Sequence, residues 1–278
     1  MTTMRVDSHQ HFWRYSAAEY PWMQPDWPIR RDFLPDDLAP ELRACGLDGC
    51  VAVQARQSLE ETRLLLGLAD ASPLIRGVVG WVDLCSPRVE EQLAEFAPHP
   101  KFVGVRHVVQ DEPDDRFMLR EDFQRGIGLL RGFELTYDIL IYPRQLSAAI
   151  DLARAFPEQP FVLDHLAKPV IRKGTLSPWR EQLRELAASP NVLCKVSGLV
   201  TEARWHQWQP ADFRAYLDAA FEAFGPDRLL FGSDWPVALL AATYGQVFSL
   251  VRDYVGQLGD GVDAKFFGLN AARFYDLC

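Results

Sequence analysis

The sequence has few cysteines and no long run of charge of one sign. Its 278 residues include five cysteines, an odd number with no C-x-x-C pair, which argues against a disulfide framework or a zinc ribbon and favours a reducing cytoplasm. Basic residues are outnumbered, 29 Lys and Arg against 38 Asp and Glu, and no basic run is longer than a pair such as Arg30–Arg31. A net charge of −9 without a basic patch lacks the electrostatic footprint of a phosphate-backbone binder, so no nucleic acid partner is expected.

Long apolar runs and a leader-like start are also missing. No uncharged apolar stretch approaches the roughly 18 to 20 residues that a membrane-spanning helix needs, so no membrane partner is expected. The chain reaches charged residues within Met1–Asp7, and we therefore expect no secretory signal and a cytoplasmic location. With 48% hydrophobic residues, the chain is too apolar for a disordered protein and long enough to bury a large core.

Short apolar segments alternate with amphipathic segments along the chain. Most apolar segments, such as GVVGWV, are nearly uninterrupted, which is typical of parallel strands covered on both faces. The predicted strands are Arg5–Asp7, Cys50–Gln54, Gly77–Val82, Phe102–Val108, Leu135–Tyr142, Phe161–Asp164, Val192–Val196 and Leu229–Gly232. Helical periodicity is clear over Leu59–Asp70, Val89–Phe96, Gln145–Ala155, Trp179–Ala188 and Asp212–Phe224.

Eight strand-and-helix units in a chain of this length predict an α/β fold, a closed (β/α)8 barrel of the TIM type. We expect a single barrel domain over residues 1–278, either regular or distorted. A doubly wound open sheet is the alternative, weakened because no glycine-rich dinucleotide fingerprint follows any strand. The first connection, Phe12–Pro35, is unusually long and rich in aromatic residues, so it is expected to form either a functional lid or a plug at one barrel end.

Four ionisable residues fall at the ends of predicted strands. His9 and His11 follow the first strand, and residues two apart in an extended chain point to the same side, so both are expected to project into the barrel mouth. His165 closes the sixth strand and Asp234 closes the eighth. Each of the last two alone would suit a structural hydrogen bond or a turn. Their convergence on the face that carries the active site in this architecture favours a catalytic cluster.

Five motifs together resemble a known family. They are DSHQHFW near the start, GVRH at Gly104–His107, LDHLAKP, CKVSGL at Cys194–Leu199, and FGSDWPV near the eighth strand. The chain resembles the amidohydrolase superfamily, in particular its group of sugar-lactone hydrolases of the L-fuconolactonase and L-rhamnonolactonase type. The resemblance runs from residue 5 to about residue 275. It implies an amidohydrolase-like barrel and an enzyme that opens the ester of a small sugar lactone, an aldonolactone, to the sugar acid.

The departures from the superfamily pattern bear on the metal content. Many members hold two metals with a bridging carboxylated lysine at the fourth strand, where this sequence has Arg106 and His107, and a histidine at the fifth, which here ends in Tyr142. A binuclear site is therefore not expected. No organic cofactor is expected either. The remaining set can hold one divalent ion of zinc type: His9, His11, His165 and Asp234. Related lactonases also work without metal, so the resemblance leaves open whether such an ion is dispensable and these residues act directly.

The resemblance assigns roles to the residues at the strand ends. Asp234 is the expected general base for water, while the three histidines or a bound metal polarise the carbonyl. No G-x-S-x-G nucleophile elbow occurs, which disfavours a serine hydrolase mechanism. Lys195 either binds substrate or pairs with a nearby acid. The full set of expected substrate-binding residues is Arg106, His107, Tyr142, Trp13, Lys195 and Trp235, with Trp205 either at the mouth or in packing.

Two other functions remain open from the sequence. A non-oxidative decarboxylase of the same superfamily would use the same histidines and aspartate on an aromatic acid and would release CO2. A non-catalytic sugar-binding barrel would retain the aromatic surface without turnover. The sequence is compatible with either a monomer or a homodimer.

Overall fold

The protein forms an eight-stranded parallel barrel, seen in a computed structural model that describes residues 4–277. Met1–Thr3 and Cys278, at the ends of the expected domain, lie outside the described residues. The strands pair in sequence order, which confirms the predicted (β/α)8 fold. They are β1 Val6–Gln10, β2 Gly49–Val53, β3 Ile75–Gly80, β4 Phe102–His107, β5 Thr136–Ile139, β6 Phe161–Leu163, β7 Val192–Val196 and β8 Leu229–Phe231.

Helices follow the strands and cover the outside of the barrel. They are α1 Pro35–Ala44, α2 Leu59–Ala71, α3 Val89–Phe96, α4 Glu121–Leu130, α5 Leu146–Ala155, α6 Trp179–Ala187, α7 Leu199–Glu202, α8 Ala211–Phe224, α9 Tyr244–Val255, α10 Val262–Ala264 and α11 Asn270–Phe274. The five predicted helices correspond to α2, α3, α5, α6 and α8, and their ends differ from the prediction by at most one residue. Within residues 4–277, no helix has both the length and the apolar character needed to cross a membrane.

The last strand closes the barrel onto the first. The closure is a short parallel bridge between Gln10 and Trp235, just beyond the end of β8. Two backbone hydrogen bonds support it, from Asp234 N–H to the His9 carbonyl (2.8 Å) and from His11 N–H to the Trp235 carbonyl (2.7 Å). β1 is longer than predicted, since it continues through His9 to Gln10. The closing bridge thus places three of the four predicted catalytic residues side by side.

The barrel interior has a small apolar core of its own. Val6, Val51, Val79 and Leu230 are fully buried there. Tyr275, which follows α11, packs against the same cluster and is also buried. Aliphatic side chains from successive strands therefore fill the barrel and leave the space at the carboxyl ends of the strands for a site.

Candidate active site

A cavity of about 370 Å³ opens at the carboxyl ends of the strands. Residues with an expected catalytic or substrate-binding role line it: His11, Arg106, Tyr142, His165 and Asp234. His9 lies directly beneath them and is fully buried. The other residues that line the cavity come from several connections: Trp22, Trp27, Ala55, Val108, Gln110, Asp111, Leu140, Lys168, Thr201, Glu202, Trp205, Val237 and Leu240.

One carboxylate oxygen is the centre of the cluster. Oδ1 of Asp234 lies 3.3 Å from Nε2 of His11, and 3.9 Å from Nε2 of both His9 and His165. The rings of His9 and His165 meet edge to face, with their centroids 4.5 Å apart. The structure therefore brings together the four residues that the sequence places at strand ends.

Backbone and side-chain contacts orient the histidine rings. Nδ1 of His11 is 2.7 Å from the Val53 carbonyl oxygen and donates to it, because a carbonyl only accepts, while Nε2 faces Asp234. Nδ1 of His165 is 2.8 Å from the Ser197 hydroxyl oxygen. Gly198 gives the His165 ring its space, because a Cβ atom there would lie 2.6 Å from Nδ1. Each ring thus presents one nitrogen to the cavity.

The segment after β6 has an unusual backbone. His165, Leu166, Ala167 and Lys168 all have positive φ values, between 52° and 58°, in the left-handed region that L-residues seldom occupy. The indole N–H of Trp179 donates to the Leu166 carbonyl at 2.7 Å and braces the turn. This left-handed turn directs both His165 and Lys168 to the cavity lining.

Burial favours the neutral forms of His9 and His165 beside the Asp234 carboxylate. It lowers the pKa of His9 well below its usual value, against the opposing charge of Asp164, and it lowers the pKa of His165 to about 4. Burial alone would raise the pKa of Asp234, but the facing His165 and His11 bring that pKa below its ordinary value. At neutral pH His9 and His165 therefore offer imidazole lone pairs, and Asp234 offers a carboxylate.

This donor set fits a single divalent ion of zinc type. The nitrogen and oxygen atoms of His9, His11 and Asp234 lie within 4.8 Å of one another, as do those of His9, Asp164 and His165. Ligand atoms about 2.0–2.2 Å from a tetrahedral zinc ion are about 3.3–3.6 Å apart, comparable with the 3.3 and 3.9 Å separations observed. The proton that His11 donates to a backbone carbonyl is the outer contact typical of histidine metal ligands.

A buried ionic network supports the cluster from below. Nζ of Lys195 lies 2.5 Å from Oδ2 of Asp138 and 3.1 Å from Oδ1 of Asp164, and it also lies 3.1 Å from Nδ1 of His9. Arg106 bonds the other oxygen of Asp164 at 3.0 Å and approaches Nε2 of His9 at 3.3 Å. Of the two roles left open for Lys195, the structure therefore gives the ion pair, since the side chain is fully buried below the cavity.

The sequence reading missed Asp138 and Asp164. Both are fully buried, and each is a lone acid within or directly after an apolar strand segment, TYDI and FVLD. Burial raises the pKa of Asp138 to about 6, a shift limited by the Lys195 charge. Burial likewise opposes ionisation of Asp164, but His9 and Lys195 hold its pKa well below the usual range. A charged residue in an otherwise apolar strand was the signal available for finding them.

Two other expected substrate contacts lie away from the cavity. His107 is buried, with Nε2 2.7 Å from a Glu112 oxygen and its ring stacked on Phe117 at 5.0 Å. Trp235 is 3% exposed and packs edge to face on Phe33, with centroids 5.1 Å apart. Neither side chain lines the cavity, because both turn from the strand ends into the surrounding apolar core.

Trp13 is also placed differently from the expectation. Its ring is fully buried, lies 5.8 Å from the Tyr20 ring and 5.7 Å from the Phe33 ring, and donates its indole N–H to the Arg31 carbonyl at 2.9 Å. The long first connection folds back on Trp13, as shown by the antiparallel bridge between Trp13 and Phe33. Trp13 is thus the centre of a core under the loop.

Other tryptophans of the chain form the rim of the cavity. Trp22 and Trp27 come from the long first connection and Trp205 from the segment after α7. Their rings meet edge to face in series, at 6.3 Å between Trp22 and Trp27 and 5.9 Å between Trp27 and Trp205. Trp22 is 36% exposed and Trp205 38% exposed. The aromatic surface expected at the mouth is present, but Trp13 and Trp235 do not supply it.

Substitution by alanine should therefore affect stability at Trp13 and substrate binding at Trp205. Trp13→Ala is expected to lower the free energy of unfolding by about 3–5 kcal/mol, because it empties a packed core site. Trp205→Ala should leave unfolding within about 0.5 kcal/mol of the parent and raise KM for a cyclic polyol ester, because it removes a cavity rim. Urea unfolding and steady-state kinetics measure the two effects. A raised KM in a fully folded Trp13→Ala protein would contradict the position of Trp13 in the core beneath the loop.

Similarity to known proteins covers the whole chain. The amidohydrolase family model matches residues 6–277. Over 289 residues, the chain is 45% identical to the L-fucono-1,5-lactonase of Burkholderia multivorans, covering 100% of this chain and 97% of that protein. It is 40% identical to the L-fucono-1,5-lactonase of Burkholderia ambifaria, covering 98% and 96%.

The fold also matches a crystal structure of an amidohydrolase from Burkholderia multivorans with bound zinc. The TM-score is 0.95 at 45% identity, covering 99% of this chain and 100% of that one. With its fold, its motifs and nearly its full length matched, this chain belongs to the amidohydrolase family.

Proposed function

We propose that this protein hydrolyses the ester of a small sugar lactone, such as L-fucono-1,5-lactone, to the sugar acid. The observation that carries the proposal is the convergence of His9, His11 and His165 on one oxygen of Asp234 at the floor of the cavity. The activity named for the 45% and 40% identical relatives supports the choice of substrate. A volume of about 370 Å³ is near the lower end of the range for small-molecule sites, which suits a single sugar ring.

The proposed reaction uses Asp234 as a proton carrier. The carboxylate takes a proton from water as the water oxygen attacks the lactone carbonyl carbon. The ester bond between that carbon and the ring oxygen then breaks, and Asp234 returns the proton to the departing alkoxide. In the proposed reaction Arg106, which also lines the cavity, stabilises the negative charge that develops on the carbonyl oxygen. The products are one hydroxyl group and one carboxylic acid, which ionises at neutral pH.

We further propose that one divalent ion of zinc type is held by His9, His11, His165 and Asp234. Such an ion, when bound, supplies Lewis acidity at the carbonyl and lowers the pKa of water. Arg106 stands at β4 where a bridging lysine would be needed for a second ion. The support is the donor set of the cluster and the zinc in the similar crystal structure.

Removal of metal is expected to lower turnover strongly. Dialysis against a chelator should leave little hydrolysis, and added Zn²⁺ should restore it with close to one equivalent bound by elemental analysis. His11→Ala should bind less zinc than the parent protein. Full activity in the metal-free protein would instead assign carbonyl polarisation to the histidines directly, and two equivalents of bound zinc would contradict the single-ion site.

A pH-indicator assay tests the function itself. At neutral pH a lactonase acidifies a weakly buffered solution of L-fucono-1,5-lactone, because each ester opened releases one proton. Release of CO2 from an aromatic acid, without acid release from any sugar lactone, would identify the protein as a decarboxylase instead. Binding of sugar lactones without turnover in the zinc-loaded protein would identify a sugar-binding barrel.

A further inference from the structure

The cavity lining includes two charged side chains, Lys168 and Glu202, that form no side-chain hydrogen bond within residues 4–277. Within residues 4–277, the Lys168 ammonium makes neither a hydrogen bond nor an ion pair and lies 5.5 Å from the centroid of the Tyr142 ring. Glu202 lies on the same cavity, and the nearest cation to its carboxylate is Arg172 at 3.8 Å. By contrast, the ammonium of Lys195 below the cavity is paired with two carboxylates. Charged groups that line a cavity and have no hydrogen-bond partner among the described residues are available to a ligand.

The backbone holds Lys168 at this wall in spite of strain. It is the last residue of the left-handed turn, with φ 52° and ψ 60°. A non-glycine residue in the left-handed region is strained and persists where the surroundings impose that backbone. Here His165 begins the turn in the catalytic cluster and Trp179 braces its middle. The turn therefore ties the position of the Lys168 side chain to that of His165.

Glu202 reaches the cavity from α7, in the connection that follows β7. It ends α7, which begins directly after Gly198, the residue against which the His165 ring packs. Its side chain is only 15% exposed. Burial raises its pKa, an effect that the charges of Lys168 and Arg172 limit. A carboxylate shielded from water in this way makes stronger hydrogen bonds than a solvated one.

The two side chains match the hydrogen-bonding groups of a polyol. A carboxylate accepts protons from two neighbouring hydroxyl groups, and an ammonium donates to their oxygen lone pairs. Away from its ester group, a lactone ring without hydroxyl groups offers only C–H bonds. Both charged groups would then lose water without gaining a hydrogen-bond partner. We propose that Lys168 and Glu202 bind ring hydroxyl groups and select polyhydroxylated lactones over unsubstituted ones; this inference rests on the proposed lactonase function.

Kinetics of Lys168→Met and Glu202→Gln on two substrates test the proposal. The substrates are L-fucono-1,5-lactone and δ-valerolactone, which has the same six-membered ester ring without hydroxyl groups. Each variant should lose about tenfold or more in kcat/KM on the sugar lactone, mainly through KM, because a charged hydrogen-bond partner is lost. The loss on δ-valerolactone should be at least about fivefold smaller. The matched controls are Lys173→Met and Glu181→Gln, which change exposed residues outside the cavity.

Each outcome decides the proposal. Equal losses on both substrates would overturn it and place the pair at the ester group or in the fold, which thermal melting curves distinguish. Unchanged kinetics on the sugar lactone in both variants would overturn it as well. If the wild-type protein hydrolyses the sugar lactone and the variants give either of these results, the proposed lactonase function still stands. Wild-type protein that hydrolyses neither lactone overturns the proposed function, and this inference with it.

Discussion

Asp234→Asn is expected to lower kcat for a sugar lactone by at least about a hundredfold, the usual contribution of a general base. The amide keeps the size of the side chain and its place beside His11 and His165 but cannot accept the proton of water. Steady-state kinetics by acid release measure the effect. Loss of a metal ligand would add to it, so bound zinc is measured in the same preparation.

Asp36→Asn is the matched control for this variant. Asp36 is exposed in the first turn of α1, so the same chemical change there should leave kcat unaltered. Circular dichroism and thermal melting of the two variants verify that both are folded. Near-native turnover by folded Asp234→Asn protein would remove Asp234 from the mechanism.

Lys195→Met should destabilise the protein by about 3–5 kcal/mol, because removal of one partner leaves buried charge without compensation. The lysine is the shared partner of Asp138 and Asp164, and all three side chains are fully buried. Methionine has a similar length, so the loss reports charge more than volume. Urea unfolding measures the change in the free energy of unfolding.

Asp138→Asn provides the graded comparison. It leaves the Lys195 ammonium paired with Asp164, so it should cost clearly less than Lys195→Met. The exposed change Lys173→Met should have almost no effect on unfolding. A Lys195→Met protein as stable as the parent would show that the two carboxylates are protonated or hydrated in the folded state.

The residues of the cluster around Asp234 could be located from the sequence because strand ends are local features. His165 and Asp234 each follow a short apolar run, and the barrel architecture brings such positions to one face. The prediction required the order of strands along the chain and no knowledge of long-range packing. For the same reason, β7 was predicted with its observed bounds.

The positions of the aromatic residues could not be predicted in this way. Trp13 lies near the histidines in sequence but is buried by its own loop, whereas Trp27 reaches the cavity from farther along that loop. Which face of such a loop meets the barrel depends on how the loop packs as a whole, and neither periodicity nor propensity determines it. Lys168 was missed because the pattern around it resembles a turn and gives no sign of the left-handed backbone.

The closing bridge between β1 and Trp235 has a consequence for how activity appears during folding. His11 and Asp234 are in contact although 223 positions separate them along the chain. A fragment that lacks either end of this contact therefore lacks part of the proposed catalytic cluster. Contacts of such large sequence separation carry a high loop-closure cost and form slowly. Recovery of turnover after dilution from denaturant should therefore lag behind the recovery of helical circular dichroism, making enzymatic activity a reporter of the moment when the two ends of the sheet meet.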